Sequence, residues 1–340
     1  MAATRLLVAT GDSVAVVSGS EAEGWTADAR LAGSGAQCIA ADPAQPSTVY
    51  AGSASAGVLR SDDAGETWSP TSPLGPDGAP GAVFSLAVSR AWRSDGAGVL
   101  LAGTEPSALF VSEDRGERWR ECRALRSIPS APTWSFPPRP WTSHVRWIAP
   151  SPHDPALLLV GIELGGVMRS TDGGETWADH RPDAYRDCHS LAFHPIARGR
   201  AYEAAGGGAA LSLDGGETWT PADDGQTRHY VWALAVDPAD PDTWYVSASP
   251  SAGHAHHRPG QADSVIYRRR GDAPWEELRR AGLPAPSETL VAALAADPGA
   301  AGRLFAGLRS GALYESRDYG ESWQKLPVRL DGIAALAVVS

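Results

Sequence analysis

The sequence predicts a seven-bladed β-propeller of four-stranded antiparallel blades, in which the N- and C-terminal strands share one blade and close the ring. Three observations predict this fold. A short motif of the form S-x-D-x-G-x-T-W recurs along the 340 residues, similar short apolar strands precede each copy, and the two chain ends carry complementary parts of one repeat. Repeats of roughly 40 to 50 residues are typical of propeller blades.

The motif marks the end of each predicted blade. Five copies are clear (SDDAGETW, SEDRGERW, STDGGETW, SLDGGETW and SRDYGESW), and two decayed versions are VSGSEAEGW and YRRRGDAPW. The tryptophans that end them are Trp25, Trp68, Trp119, Trp177, Trp219, Trp275 and Trp323. An Asp can accept hydrogen bonds from a turn backbone, a Gly can adopt positive φ, and a Trp can pack between sheets. We therefore interpret Asp63, Asp114, Asp172, Asp214 and Asp318 as turn-forming residues.

The strands of a blade can be followed in the segment that ends at the second box. An inner strand (Cys38 to Ala41) is followed by a D-P turn, a second strand (Thr48 to Gly52) and a third strand that enters the motif. The chain begins on a second strand (Leu6 to Thr10) and ends on a bare strand (Ile333 to Ser340). Residues 1–340 are thus predicted to form a single propeller domain closed by its two ends.

One insertion interrupts the repeat. Residues 127–143 are rich in proline and aromatic residues, and loops of this length are often functional. We expect this segment to lie over the channel as a lid. Trp134, Phe136 and Trp141 are then candidates to stack on a ligand ring, or to pack the lid down.

Composition narrows the classes of partner and compartment. The net charge of −11 disfavours nucleic acid as a partner. Cys38, Cys122 and Cys188 are an odd number without C-x-x-C spacing, which fits free thiols in a reducing compartment. The apolar stretch near the start is short for a signal peptide or a membrane span. A cytoplasmic protein without membrane contact is expected.

The seven motifs resemble the BNR or Asp-box repeat propellers of the sialidase and sortilin-like superfamily, which also includes glucan-degrading enzymes and photosystem assembly factors. The resemblance implies the propeller fold. Within the superfamily the chain resembles a bacterial glycosyl-hydrolase-like member rather than a typical sialidase. No Arg-Ile-Pro precedes the first motif, and the neighbouring Tyr202 and Glu203 alternate across a strand, whereas sialidases pair a Tyr nucleophile with a Glu. The resemblance alone therefore assigns no activity, since one fold hosts many functions.

Candidate site residues collect where inner strands begin and where second strands end, which a propeller brings to one end of its channel. Three successive blades place histidines at the inner-strand starts, and three place glutamates after the second strands. The candidate metal ligands are His144, His189, His229 and His254. The candidate catalytic residues are Glu105, Glu163, Glu203 and Asp187. The candidate substrate-binding residues are Arg146, Arg228, Arg309, Trp134 and Trp141.

Several functions remain open at this stage. Imidazoles that converge with a carboxylate suit Zn, Mn, Fe, Ni or Cu and would support a metal-assisted hydrolase or lyase acting on a small polar or anionic substrate. Without a metal, histidines could act as acid and base, or glutamate pairs could act in a sialidase-like or glycoside-hydrolase-like enzyme. The glutamates could instead orient histidines or pair with the arginines in a structural channel. A non-catalytic scaffold for a protein partner is the third function class.

Overall fold

The computed structural model describes residues 4–20, 22–75, 81–90, 98–136, 142–279 and 282–339. It is a seven-bladed β-propeller, as predicted, with almost no helix. Two short 3-10 helices (Arg123–Ser127 and Ala131–Thr133) and one π-helical turn (Gly253–His257) are its described helical segments.

The strands follow one another from the inside of each blade to the outside. Blade 1 contains β1 (Thr4–Ala9), β2 (Val14–Ser20) and β3 (Gly24–Arg30), and blade 2 contains β4 (Ala36–Ala41), β5 (Val49–Ser53), β6 (Gly57–Ser61) and β7 (Ser69–Pro70). Blade 3 contains β8 (Ala82–Val88), β9 (Leu100–Glu105), β10 (Ala108–Ser112) and β11 (Arg120–Glu121). Blade 4 contains β12 (Val145–Pro150), β13 (Leu158–Ile162) and β14 (Gly166–Ser170).

The remaining blades continue this order. Blade 5 contains β15 (Cys188–Phe193), β16 (Ala201–Ala205), β17 (Gly208–Ser212) and β18 (Thr220–Pro221), and blade 6 contains β19 (Tyr230–Val236), β20 (Thr243–Ser249), β21 (Val265–Arg270) and β22 (Glu276–Glu277). Blade 7 contains β23 (Val291–Ala296), β24 (Leu304–Leu308), β25 (Leu313–Ser316) and β26 (Gln324–Lys325), and β27 (Ala335–Val339) completes blade 1. In blade 4 the fourth strand is reduced to a single bridge between Arg169 and Ala178.

The ring closes through the two ends of the chain. β27 pairs antiparallel with β1, from Arg5 opposite Val339 to Ala9 opposite Ala335. The inner strands contact one another in a closed circle of β4, β8, β12, β15, β19, β23 and β27. The inner edges of the blades are thereby protected from pairing with another chain.

The S-x-D-x-G-x-T-W motifs form the hairpins to the outermost strands. In the copy that begins at Ser61, the Ser61 hydroxyl donates to Asp63 Oδ1 (2.7 Å), and Asp63 accepts from the Thr67 amide (2.8 Å) and the Thr67 hydroxyl (2.6 Å). Gly65 has φ +94°, a conformation that other residues rarely adopt, and a Cβ there would lie 2.6 Å from Leu7 Cδ2. The box aspartates thus close turns, as the sequence predicts.

The core lies between adjacent blades. The tryptophan of each motif packs in the cluster shared with the preceding blade, as Trp219 does against Ala149 and Leu159. The other motif tryptophans follow the same rule: Trp25, Trp68, Trp119, Trp177, Trp275 and Trp323. Burial of these large rings fixes the distance between neighbouring sheets. The three cysteines are free and buried.

Candidate functional site

An irregularity repeats in the inner strands and builds the channel mouth. In six of the described inner strands the pairing with the next strand shifts near the second residue, which leaves one residue unpaired, or two in blade 6. Such a β-bulge re-aims a side chain. We call the first unpaired residue of each strand the bulge residue. These residues are Gln37, Phe84, Arg146, His189, Trp232 and Ala292.

A cavity of about 1050 Å³ is lined by all of these bulge residues except His189, which is buried. Its wall also contains the loops that follow second strands, including Glu163, His256 and Arg309. The two kinds of segment therefore meet at one end of the channel, as expected from the sequence. The Asp-box turns do not contribute to this wall within the described residues.

The strand register corrects the expected equivalence of the three histidines. His189 is a bulge residue, and its counterparts in the neighbouring blades are Arg146 and Trp232. His144 lies two residues before Arg146 and matches Asp187 and Tyr230 instead. His229 precedes Tyr230, is exposed and lies outside the cavity wall.

The register also separates the three glutamates. Thr104 pairs with Val83 and Ile162 pairs with Val145, and both valines directly precede a bulge residue. The next residues along the second strands, Glu105 and Glu163, therefore occupy equivalent positions. In blade 5 the residue before the bulge residue, Cys188, pairs with Ala205. The position equivalent to Glu105 and Glu163 is therefore Gly206, three residues beyond Glu203. Glu203 is fully buried and lies outside the cavity wall.

Glu203 is buried between blades 4 and 5. Its Oε2 accepts a hydrogen bond from the Tyr185 amide (3.0 Å), while its Oε1 has no hydrogen-bond partner in the described part of the chain. Burial raises the pKa of Glu203 to about 8, against the smaller opposing effect of the Tyr185 amide. This carboxyl is therefore a buried structural acid, outside the cavity where it was expected to act.

Three side chains of metal-binding types converge beside the cavity: Glu163 and Asp187 belong to its wall, and His189 lies buried behind it. The ligand atoms of Glu163, Asp187 and His189 lie within 4.8 Å of one another. His189 Nδ1 lies 2.6 Å from the Val231 carbonyl oxygen, which can only accept, so Nδ1 carries a hydrogen. His189 Nε2 has no hydrogen-bond partner among the described residues, and Asp187 Oδ2 lies 3.6 Å from it.

The His189 ring is held rigidly. It is fully buried, and its centroid lies 4.8 Å from that of Tyr230 and 4.6 Å from that of Trp232. A backbone carbonyl that accepts from one ring nitrogen is a common way to orient a histidine whose other nitrogen binds a metal. His189, Glu163 and Asp187 are consequently the residues that could hold a metal ion.

His144 orients Glu163. Its Nε2 lies 2.8 Å from Glu163 Oε2, its Nδ1 lies 3.3 Å from Glu105 Oε2, and its ring stacks on Phe84 with centroids 4.8 Å apart. Burial would raise the pKa of Glu163, but the hydrogen bond from His144 and the nearby Arg146 outweigh it and lower the pKa to about 2. Glu163 is therefore ionised, and the Nε2 of His144 is engaged with this carboxylate.

Two of the predicted substrate-binding arginines reach the cavity. The Arg146 guanidinium lies over Trp232, 4.6 Å from the ring centroid, and its Nε is 3.7 Å from Glu163. Arg309 donates to His256 Nδ1 at 2.8 Å. Arg228 lies elsewhere and pairs with Asp263 (2.9 Å) and Glu277 (3.4 Å), so it has a structural role.

The remaining predicted site residues lie outside the wall or outside the described residues. Both ring nitrogens of His254 have partners, Ser251 at 2.9 Å and Arg258 at 3.1 Å. Trp134 is buried between blades 3 and 4 and donates to Ser130, so it packs the insertion down, whereas Phe136 reaches the cavity. Trp141 falls outside the described residues.

The candidate residues drawn from the sequence omit Tyr230, Trp232 and Phe84, and they take His254 rather than His256 from the loop that contains both. A signal for Trp232 and Phe84 was present, because each bulge residue lies five positions before the residue that starts the following turn, and Tyr230 lies two positions before Trp232. Those turn residues are Asp42, Ser89, Ser151, His194, Asp237 and Asp297. In the turn after β19, for example, Asp237 Oδ1 accepts from the Ala239 amide at 3.0 Å. Alignment on the turns gives the register directly, whereas alignment on the histidines does not.

Comparison with solved structures supports the fold alone. A GH74 xyloglucanase from Xanthomonas campestris matches with a TM-score of 0.64 and 18% identity over 97% of this chain and 54% of its own. An ancestral GH74 enzyme gives a TM-score of 0.65 and 19% identity over 89% of this chain and 38% of its own. YCF48 from Cyanidioschyzon merolae gives a TM-score of 0.58 and 14% identity over 86% and 85% of the two chains.

The chain thus spans about half or less of the length of these GH74 enzymes. No protein family model and no curated protein sequence matches it. The BNR resemblance therefore stays a prediction. Among the described residues there is no helix with the length and apolar character needed to cross a membrane.

Proposed function

We propose that this protein is a metal-assisted hydrolase or lyase that binds a small polar or anionic substrate at the channel mouth. The proposal rests on the convergence of Glu163, Asp187 and His189. The Nε2 atom of His189 is buried and has no hydrogen-bond partner among the described residues. A buried nitrogen lone pair that faces two carboxylates is costly unless something binds it.

The donor set fits a divalent transition metal. One imidazole nitrogen and two carboxylate oxygens suit Zn, Mn, Fe, Ni or Cu, and three protein ligands leave room for water or substrate. A bound ion of this kind lowers the pKa of water and polarises carbonyl or phosphoryl oxygens. Hydrolysis and elimination are the reaction classes that such chemistry serves.

Other side chains of the cavity would position the carboxylate ligand and bind the substrate. His144 holds Glu163 by a hydrogen bond to Oε2, which leaves Oε1 for an ion. Arg146 and Arg309 lie in the same cavity wall and favour an anionic substrate, while Trp232 and Phe136 offer apolar surface for its remaining atoms. The cavity is therefore suited to a ligand with one charged end.

Metal titration of the purified protein tests the proposal. We expect about one equivalent of Zn, Mn or Ni to bind, and His189→Ala to weaken binding at least tenfold, because it removes a ligand. His254→Ala is the matched control and should leave the affinity unchanged, since both of its ring nitrogens have other partners. A wild-type protein that binds no stoichiometric metal, or a His189→Ala variant with full affinity, contradicts the proposal.

A metal-free glycoside hydrolase is the second candidate. It is favoured by the apposed carboxyl groups of Glu163 and Asp187 and by the likeness to GH74 enzymes. A general acid needs a raised pKa, but the pKa of Glu163 is lowered and Glu203, whose pKa is raised, lies outside the cavity wall. Hydrolysis of aryl glycosides or xyloglucan oligosaccharides that persists after chelation would favour this candidate over the metal-assisted one.

A further inference from the structure

A chain of three side chains crosses the cavity wall from Arg309 to Tyr230. Arg309 Nη1 lies 2.8 Å from His256 Nδ1, and His256 Nε2 lies 2.9 Å from the Tyr230 hydroxyl oxygen. All three residues belong to the wall of the cavity described above. The chemistry of arginine fixes the direction of every hydrogen bond in this chain.

The guanidinium has donors and no acceptor, so His256 Nδ1 must accept from Arg309. A neutral imidazole carries one hydrogen, which therefore lies on Nε2 and is donated to Tyr230. Burial, together with the nearby charge of Arg309, lowers the pKa of His256 to about 4, which agrees with a neutral ring.

The Tyr230 oxygen thus accepts from His256, and its own hydrogen must point elsewhere. No acceptor for it lies within hydrogen-bond distance in the described part of the chain. The ring cannot turn away, because it is only 7% exposed and packs against His189 and His256 with centroids 4.8 and 5.5 Å apart. The free hydrogen therefore faces the cavity.

We propose that Tyr230 donates its hydroxyl hydrogen to an oxyanion of the ligand, and that Arg309 and Arg146 complete this oxyanion subsite. The ligand class is a small molecule that carries a carboxylate or a phosphate group. His256 is a positioning residue, because it acts on the ligand through the direction it imposes on Tyr230. The subsite lies in the cavity of the proposed function and deepens it, but it requires no metal of its own.

Charge supports an oxyanion here. Within the described residues Arg309 has no carboxylate at ion-pair distance, and its guanidinium is exposed in the cavity. Arg146 lies near enough to lower the pKa of Arg309, although burial lowers it more. Arg146 already has the Glu163 carboxylate 3.7 Å away, so Arg309 is the cation whose charge an oxyanion would balance while it gains charge-assisted hydrogen bonds.

Binding of paired probes tests the subsite. Benzoate and phenyl phosphate share a ring and differ in the oxyanion, so their relative Kd values, measured by calorimetry, distinguish a carboxylate ligand from a phosphate ligand; benzyl alcohol is the neutral probe. We expect Tyr230→Phe to raise the Kd of the preferred anion at least fivefold and to leave benzyl alcohol unaffected, because Phe keeps the ring packing and removes only the donor.

Two substitutions of His256 test its positioning role through the Kd of the anions. His256→Ala should weaken anion binding to a similar extent, and His256→Gln should restore most of it, since an amide can accept from Arg309 and donate to Tyr230. Arg258→Gln is the matched control: Arg258 lies in the same loop and donates to a histidine in the same way, but outside the wall. It should bind both probes like the wild type.

The inference is overturned if Tyr230→Phe binds both anions with the wild-type Kd, or if neither anion binds the wild-type protein more tightly than benzyl alcohol. Metal titration of the same samples separates the two proposals. Anion binding that depends on Tyr230 in a protein without metal affinity would overturn the proposed function and keep the subsite. Metal binding by a protein whose anion affinity does not change in Tyr230→Phe would overturn the subsite and keep the proposed function.

Discussion

At the residue scale, two glutamates show how strongly the surroundings decide the chemistry of one side chain. Glu163 lies at the cavity wall, receives a hydrogen bond from His144 and stays ionised. Glu203 is enclosed between blades, and burial raises its pKa to about 8. From the sequence both were candidate catalytic residues, because burial and hydrogen-bond partners depend on register and cannot be read from the residue type.

The raised pKa of Glu203 predicts a stability that falls with rising pH. The unfolded chain loses this proton near pH 4.3 and the folded protein near pH 8, so the contribution is complete below about pH 4 and decreases up to pH 8. Glu203→Gln cannot ionise and should remove this decrease, so that the variant exceeds the wild type by a few kcal/mol at pH 8.

Urea unfolding at several pH values measures this difference. Glu315→Gln is the control, because Glu315 is buried against Arg303 (2.6 Å) and Arg317 (2.9 Å), and its neutralisation should destabilise the protein. An equal pH dependence in the wild type and in Glu203→Gln would show that Glu203 is ionised in the folded state.

At the scale of the element, the Asp-box hairpin and the bulged inner strand have separate tasks. The hairpin fixes the outer strand through the hydrogen bonds of its Asp and the packing of its Trp. The inner strand leaves one or two residues unpaired, and in blades 4 and 6 it turns Arg146 and Trp232 to the cavity. The sequence revealed the hairpin because its residue types are nearly constant, whereas the bulge residue varies from Ala292 to Trp232 and has no residue type in common.

The box aspartates should contribute to acid stability. Hydrogen bonds from the Thr176 hydroxyl and amide lower the pKa of Asp172 to about 2, so its contribution is present above the ordinary pKa of about 3.9 and is lost as pH falls through 2. Asp172→Ala should cost about 0.5 to 1.5 kcal/mol near neutral pH, since it removes the acceptor of several hydrogen bonds that hold the turn.

Chemical denaturation at pH 7 and pH 2 checks this expectation, with a smaller difference between wild type and variant at pH 2. The exposed Asp272, in the turn after β21, provides the control substitution Asp272→Ala, which should change stability by less than about 0.5 kcal/mol. A loss in Asp272→Ala as large as that in Asp172→Ala would refute the special role of the box.

At the scale of the whole molecule, the closed ring holds the wall of the cavity together. Its residues come from different blades: Glu163 belongs to blade 4, Asp187 to blade 5, Tyr230 and His256 to blade 6, and Arg309 to blade 7. The fold and its closure could be predicted from the repeats, because repeated residues report repeated structure. The metal-ligand set could be predicted only in part, since contacts between blades depend on the register within each blade.

Closure itself makes a prediction about chain connectivity. Without β27 the strand β1 would expose its inner edge and the apolar Leu6 and Val8, so a chain that ends before Ala335 should lose cooperative melting. A circular permutant that joins Val339 to Thr4 by a short hairpin loop and opens at Gly33 should retain a Tm within a few degrees of the wild type.

Calorimetry of the two proteins gives the comparison. The permutant keeps every strand pair of blade 1 and only changes which strands are covalently linked, because Val339 already lies opposite Arg5. A truncated chain that melts like the wild type would mean that β27 is dispensable for closure.

The bulge residues have a consequence for how such a protein can evolve. They are unpaired in the ladders, and each is specified by one codon at a constant distance from a turn. A point mutation at one of those that line the cavity changes the chemistry of the channel mouth while the strand pairing persists. Selection can therefore alter what the channel mouth binds by single steps at these positions.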